Sequence, residues 1–140
     1  MTTTELHPAR QAALASQAAV REKRRDDWVA LFASDGWVED PVGPSGFDPE
    51  GNGHHGAEAI GKFWDMTIAN TDSIEFRYTD SYAGGAEVAF VGTVRSIVAG
   101  TRIDAEGVFV YRVTDDGKLQ SLRAFWEVER AFATATPVTA

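Results

Sequence analysis

The chain has 140 residues, of which 44% are hydrophobic, and this length favours one domain with a core of its own. It contains no cysteine, which excludes disulfides, zinc–thiolate sites and cysteine nucleophiles. Its 21 acidic and 13 basic residues give a net charge of −8, which argues against binding to nucleic acid or an anionic membrane. Because the sequence shows neither a membrane-spanning run nor the hydrophobic region of a signal peptide, we expect a cytoplasmic protein.

Two helices are predicted at the start of the chain. An alanine-rich stretch with apolar residues at the helical period predicts the first over residues 9–25. Its basic cluster, residues 21–25, is typical of a solvated helix C-terminus, where positive charge is favoured, rather than of a binding patch. Asp26 or Asp27 can cap a second, short helix over residues 28–32.

A short strand with two adjacent carboxylates at its end follows the second helix. Alternation places Val38 and Asp40 on one face and Trp37 and Glu39 on the other. Pro41 cannot donate to a strand ladder, so the strand ends at Asp40. If the Val38 face is the inside of the domain, burial raises the pKa of Asp40 and suits it to act as a general base. The alternative is an aspartate that only caps a solvated loop.

Residues 41–56 are rich in glycine and proline and are predicted to form a loop. Because this loop adjoins Asp40, it can serve as a flap over the mouth of a pocket. The adjacent His54 and His55 raise the question of a metal site. Their side chains diverge and no further ligand lies at a suitable spacing, so we favour a solvated loop without a metal.

The rest of the chain predicts a third helix and then four strands. Ile60, Phe63, Trp64 and Ile68 recur at the helical period within residues 56–69. The predicted strands cover residues 73–82, 86–97, 103–113 and 119–128. Helices followed by strands indicate an α+β fold, in which a curved antiparallel sheet wraps around the helices. Such a fold leaves a concave apolar pocket of the kind that binds small ligands.

Two runs of sequence resemble a known family. Residues 30–43, Ala-Leu-Phe-Ala-Ser-Asp-Gly-Trp-Val-Glu-Asp-Pro-Val-Gly, are similar to the signature of the Δ5-3-ketosteroid isomerases. Residues 111–126 resemble the last hairpin of that family, which belongs to the nuclear-transport-factor-2-like and SnoaL-like superfamily. The resemblance implies a cone-shaped barrel of three N-terminal helices packed in a curved antiparallel sheet. It also implies that Asp40 is the proton-shuttling base.

The resemblance further implies one domain over residues 9–133, with a disordered segment at 1–8 and a tail at 134–140. It places the positions of the two groups that stabilise the enolate oxygen, a tyrosine and an aspartate in the family, at Ser16 and Phe109. Glu106 is a possible substitute donor, but it lies three residues from Phe109 and needs a bulge to face inward. The predicted walls of the substrate pocket are Phe32, Trp64 and Trp126. Without the resemblance, these aromatic residues would be read as core.

Three functions that involve a small molecule remain open from the sequence, beside a structural or protein-docking role like that of nuclear transport factors. The first is a steroid Δ-isomerase that uses Asp40 and is weak because its oxyanion donors are replaced. The second is a binding protein of the same fold that holds a steroid or another hydrophobic ligand without turnover. The third is a SnoaL-like cyclase or hydrolase, for which no spacing links Arg95 or Arg112 to Asp40. We expect no cofactor and no metal, and an exposed sheet surface makes a homodimer the expected assembly.

Overall fold

Helices come first in the chain and long strands follow, as the sequence predicts. The computed structural model describes residues 6–138, so most of the segment expected to be disordered and the last two residues lie outside the described residues. The helices are α1 (Pro8–Arg21), α2 (Arg25–Ala30), α3 (Gly56–Met66) and α4 (Val128–Phe132), with a 3-10 turn at Ile68–Asn70. The strands are β1 (Phe32–Glu39), β2 (His54–His55), β3 (Ser73–Gly84), β4 (Glu87–Val98), β5 (Thr101–Val113), β6 (Leu119–Trp126) and β7 (Thr136–Pro137).

The strands form one curved sheet that does not close into a complete barrel. Its order is β2-β1-β6-β5-β4-β3, and β7 adds a short pairing to β5. Neighbouring strands are antiparallel except β1 and β6, which run parallel with Val38 opposite Leu122. The predicted α+β class is confirmed. The pairing of β1 with β6 places Asp40, which directly follows β1, beside Trp126 at the end of β6.

The second helix begins earlier than predicted. It starts at Arg25, so Asp26 and Asp27 lie in its first turn, where their charge favours the helix N-terminus, and neither is the cap residue. It also ends at Ala30, because the chain becomes extended at Phe32 and enters β1. β1 therefore begins at Phe32, a residue that the sequence pattern had assigned to the second helix.

Two short elements near the site differ from the prediction. His54 and His55, near the end of the segment predicted as loop, form β2, which pairs with Val38 and Trp37 of β1. Val128, predicted to end the last strand, instead begins α4. A two-residue strand and a five-residue helix carry too little periodicity to be recognised in a sequence.

The core lies between the helices and the concave face of the sheet. Trp28, Val38, Ile60, Val88 and Leu119 are fully buried there, so α2, α3 and the sheet all contribute to it. None of the helices between residues 6 and 138 is long and apolar enough to cross a membrane.

Candidate functional site

The cavity between the helices and the sheet has a volume of about 430 Å³, which is within the range of small-molecule sites. Most of its wall is hydrocarbon, contributed by residues such as Val20, Ile74, Val94 and Leu122. Among the residues described, Asp40 is the one carboxylate on this wall, and no lysine or arginine lines it. The cavity therefore presents one negative charge in apolar surroundings.

Asp40 is positioned by the end of β1. The strand stops at Glu39, and the chain is tied to β6 again by the amide of Val42, which donates to the carbonyl of Ala124 at 2.8 Å. The indole Nε1 of Trp126 donates a hydrogen bond to Oδ1 of Asp40 at 2.5 Å. Because both anchors come from β6, the carboxylate has a fixed place on the cavity wall.

Burial raises the pKa of Asp40 above its ordinary value of 3.8, and the hydrogen bond from Trp126 opposes that rise with a smaller effect. The predicted direction is confirmed. The neighbouring carboxylate of Glu39 faces the other side of the strand, where it accepts hydrogen bonds from Trp37 Nε1 at 2.9 Å and Arg123 Nε at 2.8 Å. Two adjacent carboxylates thus occupy different environments, and only Asp40 lacks a cationic partner.

The structure brings Ser16, Phe109 and Trp126 together with Asp40 on the wall of the cavity. The Ser16 hydroxyl accepts a hydrogen bond from Trp28 Nε1 at 2.9 Å and is almost completely buried. Phe109 on β5 presents an apolar ring to the same space. The two positions assigned to oxyanion donors therefore hold a hydroxyl engaged with an indole and a group that cannot donate.

Phe32 and Trp64 lie in the core rather than on the cavity wall. Both pack against the indole of Trp28, with ring centroids 5.1 Å and 5.4 Å away respectively. Phe32 is the first residue of β1, and Trp64 lies on the face of α3 that meets α2. The preceding residue, Phe63, reaches the cavity instead.

Glu106 does not reach the cavity. The ladder between β4 and β5 is regular here, with Glu106 opposite Thr93, so no bulge turns its side chain inward. It is exposed on the outer face of the sheet, where Oε1 lies 3.6 Å from Nη2 of Arg130. Glu106 is therefore not the substitute donor.

Two tyrosines on the cavity wall were missed by the sequence analysis. Tyr78 on β3 and Tyr111 on β5 both line the cavity, and the charge of Asp40 contributes to raising the pKa of each phenol. Burial is the larger cause, and it helps raise the pKa of Tyr111 to about 12. The alternation of Ile74, Phe76 and Tyr78 was the available signal, since it places all three on one face of β3.

The mouth of the cavity is rimmed by exposed apolar side chains. Phe47, Met66 and Phe132 line the cavity and are each more than a third exposed. Phe47 belongs to the loop predicted to act as a flap. Asp48 holds that loop in shape, because its carboxylate accepts from the amides of Gly51 at 3.1 Å and Gly53 at 2.7 Å.

Both histidine rings pack against aromatic side chains. The ring of His54 packs on Phe63 with centroids 4.9 Å apart, and that of His55 packs on Trp37 at 5.5 Å. Between residues 6 and 138, no three histidine, aspartate or glutamate side chains cluster in a way that suits a metal ion.

Solved structures resemble this chain over nearly its whole length. RV0760c from Mycobacterium tuberculosis is 31% identical, with a TM-score of 0.86 and coverage of 96% of this chain and 98% of that one. That protein has also been crystallised in complex with estradiol-17beta-hemisuccinate. The Δ5-3-ketosteroid isomerase from Mycobacterium sp. is 28% identical, with a TM-score of 0.82 and coverage of 94% and 98%.

A more distant neighbour shares the fold alone. An epoxide hydrolase from M. tuberculosis is 20% identical, with a TM-score of 0.72 and coverage of 91% of this chain and 88% of that one. No curated protein matches the sequence significantly. The profile of the SnoaL-like domain family matches residues 13–122, which is most of the chain. On this match, and on the likeness to RV0760c, the chain belongs to the family of SnoaL-like domains.

Proposed function

We propose that this protein is a steroid isomerase of the Δ5-3-ketosteroid type, in which Asp40 carries a proton between two carbons of the substrate. The observation that supports it most is the carboxylate of Asp40 on the wall of an apolar cavity, held by Trp126 and raised in pKa by burial. A carboxylate in that environment is a stronger base when ionised than one in water.

The reaction needs one base that acts twice. The Asp40 carboxylate takes a proton from the carbon between the carbonyl and the C=C bond, and the electrons of the C–H bond form an enolate. The protonated Asp40 then returns the proton to the far carbon of the former double bond, and the carbonyl reforms in conjugation with the new C=C bond. One proton moves, two π bonds shift and no co-reactant is consumed.

The cavity suits a flat hydrophobic ketone. Its wall is mainly hydrocarbon and aromatic, so binding is driven by apolar contact and leaves few polar groups to satisfy. Two relatives support the steroid class: one bears the name of a ketosteroid isomerase, and another was crystallised with an estradiol ester. We therefore take a steroid with a 3-keto group as the substrate.

The test is the conversion of 5-androstene-3,17-dione, followed by the ultraviolet absorbance of the conjugated product. Asp40→Asn keeps the shape of the side chain but removes the base, and we expect it to lower the rate by about 10²–10⁴. Glu39→Gln is the matched control, because that carboxylate faces away from the cavity. Equal, slow conversion by the wild type and Asp40→Asn would contradict the proposal.

A second candidate is a binding protein that holds the steroid without turnover. It is supported by Phe109, which cannot donate a hydrogen bond, and by Ser16, whose short and almost completely buried side chain stands where the family pattern has a tyrosine. This function predicts that estradiol quenches the fluorescence of Trp126 saturably. Trp126→Phe should reduce the quenching, whereas Trp37→Phe, which removes an indole outside the cavity, should not. Saturable quenching without any conversion would favour this candidate over the isomerase.

We also propose a homodimer formed through the outer face of the sheet. Val108 and Phe125 lie opposite each other there on β5 and β6, and both side chains are exposed. An apolar pair on the open face of a sheet is typical of a covered surface. Light scattering coupled to gel filtration tests it: the proposal expects twice the mass of the chain, and a monomer at every concentration contradicts it.

A further inference from the structure

The hydroxyl of Tyr78 is a buried polar group without a partner. Among the residues that the structure describes, nothing lies in hydrogen-bonding geometry to this oxygen, although it is shielded from solvent by the protein. The side chain lines the same cavity as Asp40 and Trp126. A buried donor left unpaired destabilises a protein, so we expect its partner to be a ligand that occupies the cavity.

The ring of Tyr78 is held in a fixed direction. It packs against Phe90 and Phe109 with centroid distances of 5.0 Å and 5.5 Å, and against Phe76 at 5.8 Å. Three aromatic neighbours leave the ring little freedom to turn its hydroxyl elsewhere. A donor fixed before the ligand arrives is the arrangement that stabilises developing charge most effectively.

The backbone of β3 and β4 is irregular at Tyr78. The pairing of β3 with β4 shifts between Tyr78 and Asp80, which is a β-bulge, and the residue opposite Tyr78 is Gly92. Gly92 has φ +147°, and a Cβ built there would lie 2.6 Å from the Cα of Tyr78. The close approach of the two strands therefore requires glycine, and the bulge re-aims the strand after Tyr78.

Tyr111 lies close to Tyr78, also lines the cavity and is almost completely buried. Its phenol is close to Gln17, Ser16 and Tyr78, of which Ser16 and Tyr78 also line the cavity. The two phenols are close enough for each to influence the pKa of the other, but their geometry is not that of a hydrogen bond. Both phenols stay neutral at ordinary pH, because burial raises the pKa of each.

We infer that Tyr78 supplies the hydrogen bond to the ligand's carbonyl oxygen in this cavity, in the place that the sequence analysis assigned to residue 16. The inference deepens the proposed isomerase function and rests on it for the catalytic part. When Asp40 removes the proton, negative charge grows on that oxygen, and the Tyr78 O–H donates to it without giving up its own proton. The ligand class is then a hydrophobic ketone, since its carbonyl oxygen accepts a hydrogen bond from Tyr78 and the carbon beside the carbonyl carries the proton that Asp40 removes.

The first arm of the test measures binding without turnover. The probes are 5α-androstan-3-one and 5α-androstane, which differ by the carbonyl group, and tryptophan fluorescence reports their affinities. We expect the wild type to bind the ketone about fivefold to tenfold more tightly than the hydrocarbon. Tyr78→Phe should abolish this preference and leave the affinity for androstane within about twofold. Tyr82→Phe is the matched control, because Tyr82 lies on the same strand but is exposed and donates to Asp80 at 2.9 Å.

The second arm reads the hydrogen bond directly. With a carbon-13 label in the ketone, infrared difference spectra report the stretching frequency of the bound carbonyl. The wild type and Tyr82→Phe should show a lower frequency than Tyr78→Phe, because a donated hydrogen bond weakens the C=O bond. A merely structural role for Tyr78 would not move this band.

The outcomes separate this inference from the proposed function. If the wild type does not isomerise 5-androstene-3,17-dione but shows the ketone preference and the band shift, the inference stands and the isomerase proposal fails. If the wild type isomerises and Tyr78→Phe retains the rate, the preference and the band, the inference fails alone. If both hold, Tyr78→Phe should lower kcat by about 10²-fold, with a smaller change in KM.

Discussion

The interior of the cavity and its mouth are built from different chemistry. Inside, Asp40, Tyr78 and Tyr111 place ionisable or donor groups among buried aromatic rings, each set by the register of a strand. At the mouth, Phe47, Met66 and Phe132 offer exposed hydrocarbon from a loop and two helix ends. If the proposed function holds, we expect the mouth to govern entry and affinity and the interior to govern what happens to a bound ligand.

The largest expected effect comes from adding donors to the interior. Ser16→Tyr combined with Phe109→Asp restores the two groups of the family pattern, and an aspartate at the buried position of residue 109 should stay protonated and donate. We expect the rate of isomerisation to rise by about 10²-fold or more with Asp40 unchanged. The measurement is kcat for 5-androstene-3,17-dione, after a thermal melt has shown that the variant is folded.

The control for this gain is the same double substitution combined with Asp40→Asn, which should remove it entirely. A folded double variant with no increase in kcat would mean that the interior is not limited by its donors. The low rate expected of the wild type would then need an explanation other than its missing donors.

The next effect concerns the pH dependence of the interior. The rate requires ionised Asp40, so kcat/KM should fall as pH drops through the pKa of Asp40, which lies above 3.8. Trp126→Phe removes the hydrogen bond that lowers this pKa, so the acid limb should move to higher pH, by about one unit at most. Trp37→Phe removes the indole that serves Glu39 and should leave the limb in place. If the acid limb of Trp126→Phe were unchanged or moved to lower pH, the assignment of this limb to Asp40 would be contradicted.

The smallest effect is expected at the mouth. Phe47→Ala and Phe132→Ala each remove apolar surface that a ligand touches on entry, so KM or Kd should rise by about threefold to tenfold while kcat stays near the wild-type value. Tyr82→Ala is the matched control, since that aromatic ring is exposed on β3 and does not line the cavity. A loss of kcat as large as in Asp40→Asn, with KM unchanged, would erase the distinction between the two regions.

The position of Asp40 could be predicted because it depends on local rules. Alternation sets the face of a side chain within a strand, and Pro41 ends β1, so the carboxylate had to lie beside the Val38 face. Trp126 was also placed correctly on the cavity wall, but its hydrogen bond to Asp40 depends on the parallel pairing of β1 with β6. That pairing joins residues far apart in the sequence, and no local pattern encodes it.

Tyr78, Phe32 and Trp64 show what the local sequence pattern could not predict. Tyr78 reads as an ordinary inward residue of β3, and only the fold shows that its hydroxyl has no partner among the described residues. Phe32 and Trp64 are as apolar as true wall residues, and only packing against Trp28 separates core from cavity. Hydrophobicity predicts that a side chain is inside, but not which interior space it fills.

The most direct test of the account is a titration of the Asp40 carboxyl by carbon-13 NMR, with Asp40→Asn used to assign the signal. The measurement is made on the free protein and again with 5α-androstan-3-one bound. The account predicts a pKa above 3.8 in the free protein and a further rise when the ligand displaces water from the cavity. A carboxyl that titrates at or below 3.8 in both states would show that the cavity does not shelter this group, and the proposed base would be lost.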